Sequence, residues 1–282
     1  MDLKEKLESV AKNSICLRIG NKAGYMIGAT RFGGKPDVPP NFTWPTYKGK
    51  SYSDKEEKER PLSFLAQFNL EDIAKYDKDH LLPDKGLLSF FYDLDTQCFG
   101  FNPKDEGSAR VFWFEDLSYL TSMDFPPELC DDLRFPMMNI EAYGEKSYPS
   151  WADFSELFPE EEDDERYFDS CKELVGNDFD DYSQLLGWPD VIQDTMFEEC
   201  ALVTKGYYLG NPAGWKKIPD YVRANAAKTA RDTWLLLFQL DTVKCDDFEL
   251  MFGDCGHIYF FITKEDLATC KFDRIWMILQ CY

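Results

Sequence analysis

Chemistry at neutral pH most often recruits histidine, and this chain offers two, His80 and His257. His80 lies in the polar stretch Tyr76 to Leu82 and is expected to be exposed and inert. His257 stands in Cys255-Gly256-His257-Ile258-Tyr259. There the strand period of two predicts that Cys255, His257 and Tyr259 share one face. A thiol beside an imidazole is the raw material of an activated nucleophile, but two positions on one strand rarely supply that geometry. The expected role is an ordinary half-buried strand face, and no catalytic residue is assigned.

Three glutamines sit inside apolar runs: Gln67, Gln239 and Gln280. A buried amide must be hydrogen-bonded, so each is expected to tie down a neighbouring backbone or loop. The sharper reading joins them with His257 in a polar ligand site, placed in a cleft between two related halves.

The largest concentration of charge is acidic. Asp153 to Asp181 holds thirteen Asp and Glu against Arg166 and Lys172. Six acids in succession, Glu160, Glu161, Glu162, Asp163, Asp164 and Glu165, follow Pro159, as suits the first turn of a helix. Phe158, Tyr167 and Phe168 anchor the tract, so it is not a free acidic tail. A solvated face is the bland expectation, and a docking surface for a basic protein is the functional one. The D-x-D-x-D-G spacing of a calcium loop is absent.

These residues are positioned by a repeated pattern. Phe64-Leu65-Ala66-Gln67-Phe68-Asn69 is followed, nineteen residues after its Gln, by Gly86 and Leu87-Leu88-Ser89-Phe90-Phe91-Tyr92. Leu236-Leu237-Phe238-Gln239-Leu240-Asp241 is followed, seventeen residues after its Gln, by Gly256 and His257-Ile258-Tyr259-Phe260-Phe261-Ile262. A third aromatic-rich run closes each copy, Arg110 to Phe114 and Arg274 to Leu279. The residue types are those of buried strands. The expected fold is therefore α+β, a mostly antiparallel sheet or sheets built from two sequence-similar halves with peripheral helices, in one domain spanning 1–282. The repeat covers about 61–118 and 234–282, and the acidic connection about 150–182.

Elsewhere, Met1 to Ala11 carries a helical apolar stripe, Ile15 to Ile19 alternates as a strand, and Tyr25 to Ala29 is expected to return as its partner. Phe32 to Pro45 reads as an ordered loop pinned by aromatics, and Lys48 to Arg60 as a solvated loop. Tyr119 to Tyr148 reads as irregular, and Val222 to Thr233 as a helix. Gly33-Gly34-Lys35 is not a phosphate loop, because no strand-loop-helix context surrounds it and Pro36 removes a donor.

A formal charge of -21 repels phosphate backbones and anionic lipid, so neither nucleic acid nor membrane is expected as a partner. No apolar run approaches the ~18 residues of a membrane helix, and no leader pattern opens the chain. The nine cysteines form no C-x-x-C and are expected as reduced core thiols. A cytoplasmic protein without cofactor or metal is expected.

Phe32-Gly-Gly-Lys-Pro with Trp44-Pro45, Leu62-Ser-Phe-Leu-Ala-Gln-Phe-Asn-Leu, Gly86-Leu-Leu-Ser-Phe-Phe-Tyr-Asp, Gln184-Leu-Leu-Gly-Trp-Pro-Asp, Gly253-Asp-Cys-Gly and Trp276-Met-Ile-Leu-Gln-Cys-Tyr together resemble the bacterial YwqG-like family. The resemblance spans most of the chain. It implies a domain of unestablished function with no catalytic residues to carry over, and, by association with polymorphic toxin and secretion genes, an interaction or immunity role. The expected function is thus a cytosolic binding module that engages a basic protein through its acidic surface. An enzyme or small-ligand binder using the cleft between the halves is the alternative.

Overall fold

The computed structural model describes residues 1–22, 24–51, 55–175, 183–245 and 248–282. Ten strands form one sheet: β1 (Lys12–Lys22), β2 (Arg31–Phe32), β3 (Ser63–Asn69), β4 (Leu87–Tyr92), β5 (Ala109–Phe114), β6 (Met138–Ser147), β7 (Gln184–Leu186), β8 (Trp234–Leu240), β9 (His257–Thr263) and β10 (Trp276–Gln280). Their order is β10-β9-β8-β7-β1-β6-β2-β3-β4-β5, and every pairing is antiparallel.

The sheet curls nearly into a barrel. β3 and β8 stand five steps apart in the order, about 24 Å if the sheet were flat. The rings of Phe68 on β3 and Phe238 on β8 nevertheless lie 5.2 Å apart. Phe90 on β4 contacts both Phe238 and Phe260. One central core results, holding the inward residues of all ten strands, Ile15, Phe32, Ala66, Phe90, Val111, Ile140, Leu185, Phe238, Ile258 and Leu279 among them. β3 and β8 each shift register once, at Leu65 and Leu237, as a bulge does.

The outer face is covered in patches. Helices α4 (Phe197–Val203) and α5 (Asp220–Thr233) lie over β8 to β10. Trp44, Leu129 and Phe42 cover β3 to β5. Three more helices, α1 (Leu3–Val10), α2 (Trp151–Leu157) and α3 (Asp164–Val175), share an apolar cluster of Leu3, Leu7, Phe154 and Tyr167.

Three local expectations are corrected. Residues 25–29, expected as the partner of β1, form no strand in their described part, and β1 pairs instead with β6, from Lys12↔Ser147 to Lys22↔Met138. β6 lies in the stretch read as irregular; Pro136 and Pro149 bound it without interrupting it. The segment read as a solvated loop at 48–60 contributes to a hairpin, Thr46–Lys50 against Glu57–Pro61, whose exposed polar residues conceal any apolar alternation.

Candidate functional site

Gln67 and Gln239 do the same work in different places. Arg31 lies opposite Gln67 in the β2/β3 ladder, and Gln184 opposite Gln239 in β7/β8. After β2 the chain turns through Gly33 at φ +60° and Gly34 at φ +71°. A Cβ on Gly33 would stand 2.2 Å from the Pro136 carbonyl oxygen, so only glycine fits. At the end of β7, Leu186 adopts φ +61° and Gly187 φ +81°, a strained backbone for leucine. Each turn leads through a proline to an aspartate. The Asp37 N–H donates to Gln67 Oε1 at 3.1 Å, and the Asp190 N–H to Gln239 Oε1 at 2.9 Å. The shared Gly-x-Pro-Asp of 34–37 and 187–190 is the signal of this pair in the sequence.

The surroundings of the two aspartates differ. Asp37 is fully buried beside Arg31, which is 2% exposed. Asp37 Oδ2 accepts from Arg31 Nη1 at 2.8 Å, Gln67 Nε2 at 2.8 Å and the Gly28 N–H at 2.7 Å. Burial alone would raise this carboxyl, but Arg31, Gln67 and Gly28 more than offset it and hold it below its ordinary value. Arg31 also donates to the carbonyls of Lys35 and Ala29.

Asp190 is half exposed and faces His257 instead. His257 Nε2 lies 3.0 Å from Asp241 Oδ1, and Nδ1 lies 3.6 Å from Asp190 Oδ2 and 3.2 Å from the Tyr259 hydroxyl. That hydroxyl donates to the Asp190 carbonyl at 2.5 Å. The protein packed around Asp190 raises its carboxyl, His257 opposes the rise and Asp241 adds to it. Gln280 Oε1 accepts from the N–H groups of Ile192 and Gln193, both at 3.1 Å, and its Nε2 donates to the Asp194 carbonyl at 2.8 Å. Gln239, Gln280, His257 and Tyr259 thus clamp the 190–194 loop to the sheet.

Gln67 is not part of that cluster. Its neighbour Phe68 and Gln239's neighbour Phe238 meet inside the barrel, so alternation turns both amides outward, away from the shared core. Cys255 is also displaced from the expected face: it lies exposed, at φ +47°, in the turn before β9, so the period-two argument joins only His257 and Tyr259. His80 is exposed at φ +51°. Gln67→Leu and Gln239→Leu should each lower stability by about 1–3 kcal/mol, because the Asp37 and Asp190 N–H groups lose their acceptors. Urea unfolding checks this, and a loss under ~0.5 kcal/mol would mean that water replaces the amide.

The described part of the acidic tract, up to Val175, is tied into the helical layer. Lys6 on α1 pairs with Glu160 at 2.5 Å and Glu161 at 2.7 Å. Asp163 Oδ1 accepts from the Arg166 N–H at 2.9 Å and caps α3. Glu162, Asp163, Asp164 and Glu165 are exposed and make no ion pair among the described residues. Leu157 on α2 and Phe168 on α3 are exposed as well, at 36% and 49%. The end of the tract, 176–182, lies outside the described residues.

Residues 30–281 match a family described as a domain of unknown function (DUF1963). No curated protein matches the chain.

Proposed function

We propose, from the premise that this chain belongs to the DUF1963 family, that it is a binding module which engages a basic protein through the start of α3 and the loop before it. The observation that carries the reading is the set of four exposed carboxylates at 162–165, without ion pairs among the described residues, on a packed layer of helices. Exposed Leu157 and Phe168 on the same layer add the apolar contact that interfaces use. Glu160 and Glu161, satisfied by Lys6, contribute less.

The finer parts of the reading follow. The six YwqG-like motifs support a place among those bacterial proteins, and with it an immunity-type neutraliser of a basic toxin. A cytoplasmic location is supported by nine free cysteines; no helix among the described residues is long and apolar enough to cross a membrane. Two related halves are supported by the matching registers, bulges and aspartate contacts around Gln67 and Gln239.

The test compares two charge-neutralised variants. One carries Glu162→Gln, Asp163→Asn, Asp164→Asn and Glu165→Gln. The other neutralises four exposed acids elsewhere, Asp79→Asn, Asp84→Asn, Glu128→Gln and Asp132→Asn. Binding of a fluorescent oligolysine peptide should fall about tenfold in the first and much less in the second, and should weaken steeply with salt. Equal losses in both would mean that only net charge matters, and the docking surface would be abandoned.

A further inference from the structure

β1 begins at Lys12, opposite Ser147 of β6. β7 flanks β1 only along Ser14 to Cys16, and beyond Leu186 the chain turns through Gly187 and lays Trp188 against Lys12. Trp188 is fixed at both ends. Its N–H donates to Ser147 Oγ at 2.8 Å and its indole Nε1–H to the Val10 carbonyl at 2.7 Å. The Phe197 ring of α4 stands edge-on to it at 5.9 Å. The Lys12 Nζ rests on this aromatic wall, 3.5 Å from the centre of the Trp188 ring and 5.5 Å from that of Phe197.

The amine lacks a counter-ion. Lys12 is partly buried, and among the described residues its Nζ makes no hydrogen bond or ion pair. The charged groups that face it are Lys264, directly after β9, Asp153 on α2, and Arg231 and Asp232 on α5. Asp153, itself fully buried, is already engaged by Arg231 and the Thr195 hydroxyl. Burial, helped by Lys264 and Arg231, outweighs the two carboxylates and pushes the Lys12 ammonium down to about 8. Lys6 is the contrast: it too lies over a ring, Phe158 at 5.3 Å, but its hydrogen bonds to Glu160 and Glu161 raise it. A lysine desolvated beside other cations is the setting in which an ε-amine becomes a nucleophile. About a tenth of such amines are neutral at pH 7, against fewer than ~1 in 1,000 for an ordinary lysine.

The aromatic wall favours one class of electrophile. Acylation would leave a neutral amide over Trp188, whereas a protonated imine keeps a positive charge on the same nitrogen and with it the attraction of the ring face. We propose that Lys12 is a nucleophilic amine that forms a Schiff base with a small aldehyde. The nitrogen lone pair attacks the carbonyl carbon, and one N–H proton passes to the oxygen to give a carbinolamine. The second proton leaves with that hydroxyl as water when the C=N bond forms. A proton from solvent then completes the iminium ion, and nothing is oxidised or reduced. The inference is independent of the acidic surface at 162–165.

Acetaldehyde with sodium cyanoborohydride tests it on the full chain. Hydride fixes each iminium ion as a secondary amine, and peptide mass spectrometry reads the label lysine by lysine. At pH 7, Lys12 should be labelled about tenfold faster than the exposed Lys217 and Lys228. Lys12→Met should remove the fast phase of uptake by the whole chain. Competitive labelling with trace acetic anhydride gives the pH profile, whose midpoint for Lys12 should lie near pH 8. Aldehyde labelling of Lys12 no faster than that of Lys217 would overturn the inference, as would a midpoint above about pH 10. Selective acetylation of Lys12 without aldehyde labelling would overturn it too, since the nucleophile would then have no place for an iminium ion.

Discussion

Asp37→Asn is expected to destabilise the chain by about 3–5 kcal/mol. The substitution keeps the shape and removes the charge, so the Arg31 guanidinium, 2% exposed, is left in the interior without a counter-ion. Replacing both partners, as in Arg31→Met with Asp37→Asn, should recover much of the loss, since the cost lies in an uncompensated charge. The pH dependence has a definite sign. The folded carboxyl is held below its ordinary value of 3.8. Its contribution is therefore complete above the unfolded value and disappears as the pH falls through the folded one. The gap between wild type and Asp37→Asn should be full at neutral pH and close in acid. Urea unfolding across the acid range measures it. A deficit below ~1 kcal/mol at pH 7 would mean that water reaches the pair.

Phe90→Ala should cost a similar amount, about 3–5 kcal/mol, through a different cause. Phe90 is fully buried, with ring centroids of Phe238, Phe260 and Phe68 at 4.6, 5.1 and 5.7 Å. These rings come from β3, β4, β8 and β9, from both sides of the curled sheet, and hydrogen-bonded strands cannot collapse readily into the gap. Phe90→Leu, which keeps most of the volume, should cost under about 1.5 kcal/mol. Phe168→Ala, at a residue 49% exposed, should lie within ~0.5 kcal/mol of wild type. A double-mutant cycle between Phe90 and Phe260 should show coupling. Additive effects at those two positions would contradict the closure of the sheet.

Some of the candidate site was legible before any coordinates. A glutamine inside an apolar run has no water to bond, so its need for a protein partner is a local fact, and the partners are loops. The identity of those loops was not legible. Asp190 and Asp241 meet His257 only because β7, β8 and β9 are adjacent, and no spacing in the chain announces it. Cys255 was misplaced for a related reason: the strand pattern was extended through Gly256 into a turn.

The outward faces of β3 and β8 at Gln67 and Gln239 and the acidic run at 160–165 are legible in the chain, because alternation and composition are properties of neighbouring residues. Which strands lie side by side is settled by packing in three dimensions. β1 was expected to turn back on 25–29 and pairs instead with β6, more than a hundred residues onward. Antiparallel pairing carries no local label, and the entropy of closing a longer loop grows only with the logarithm of its length. A distant strand that buries a complementary face can therefore win over a near one that does not. The same choice curled the sheet, brought Phe68 to Phe238, and turned Gln67 and Gln239 outward beneath separate loops.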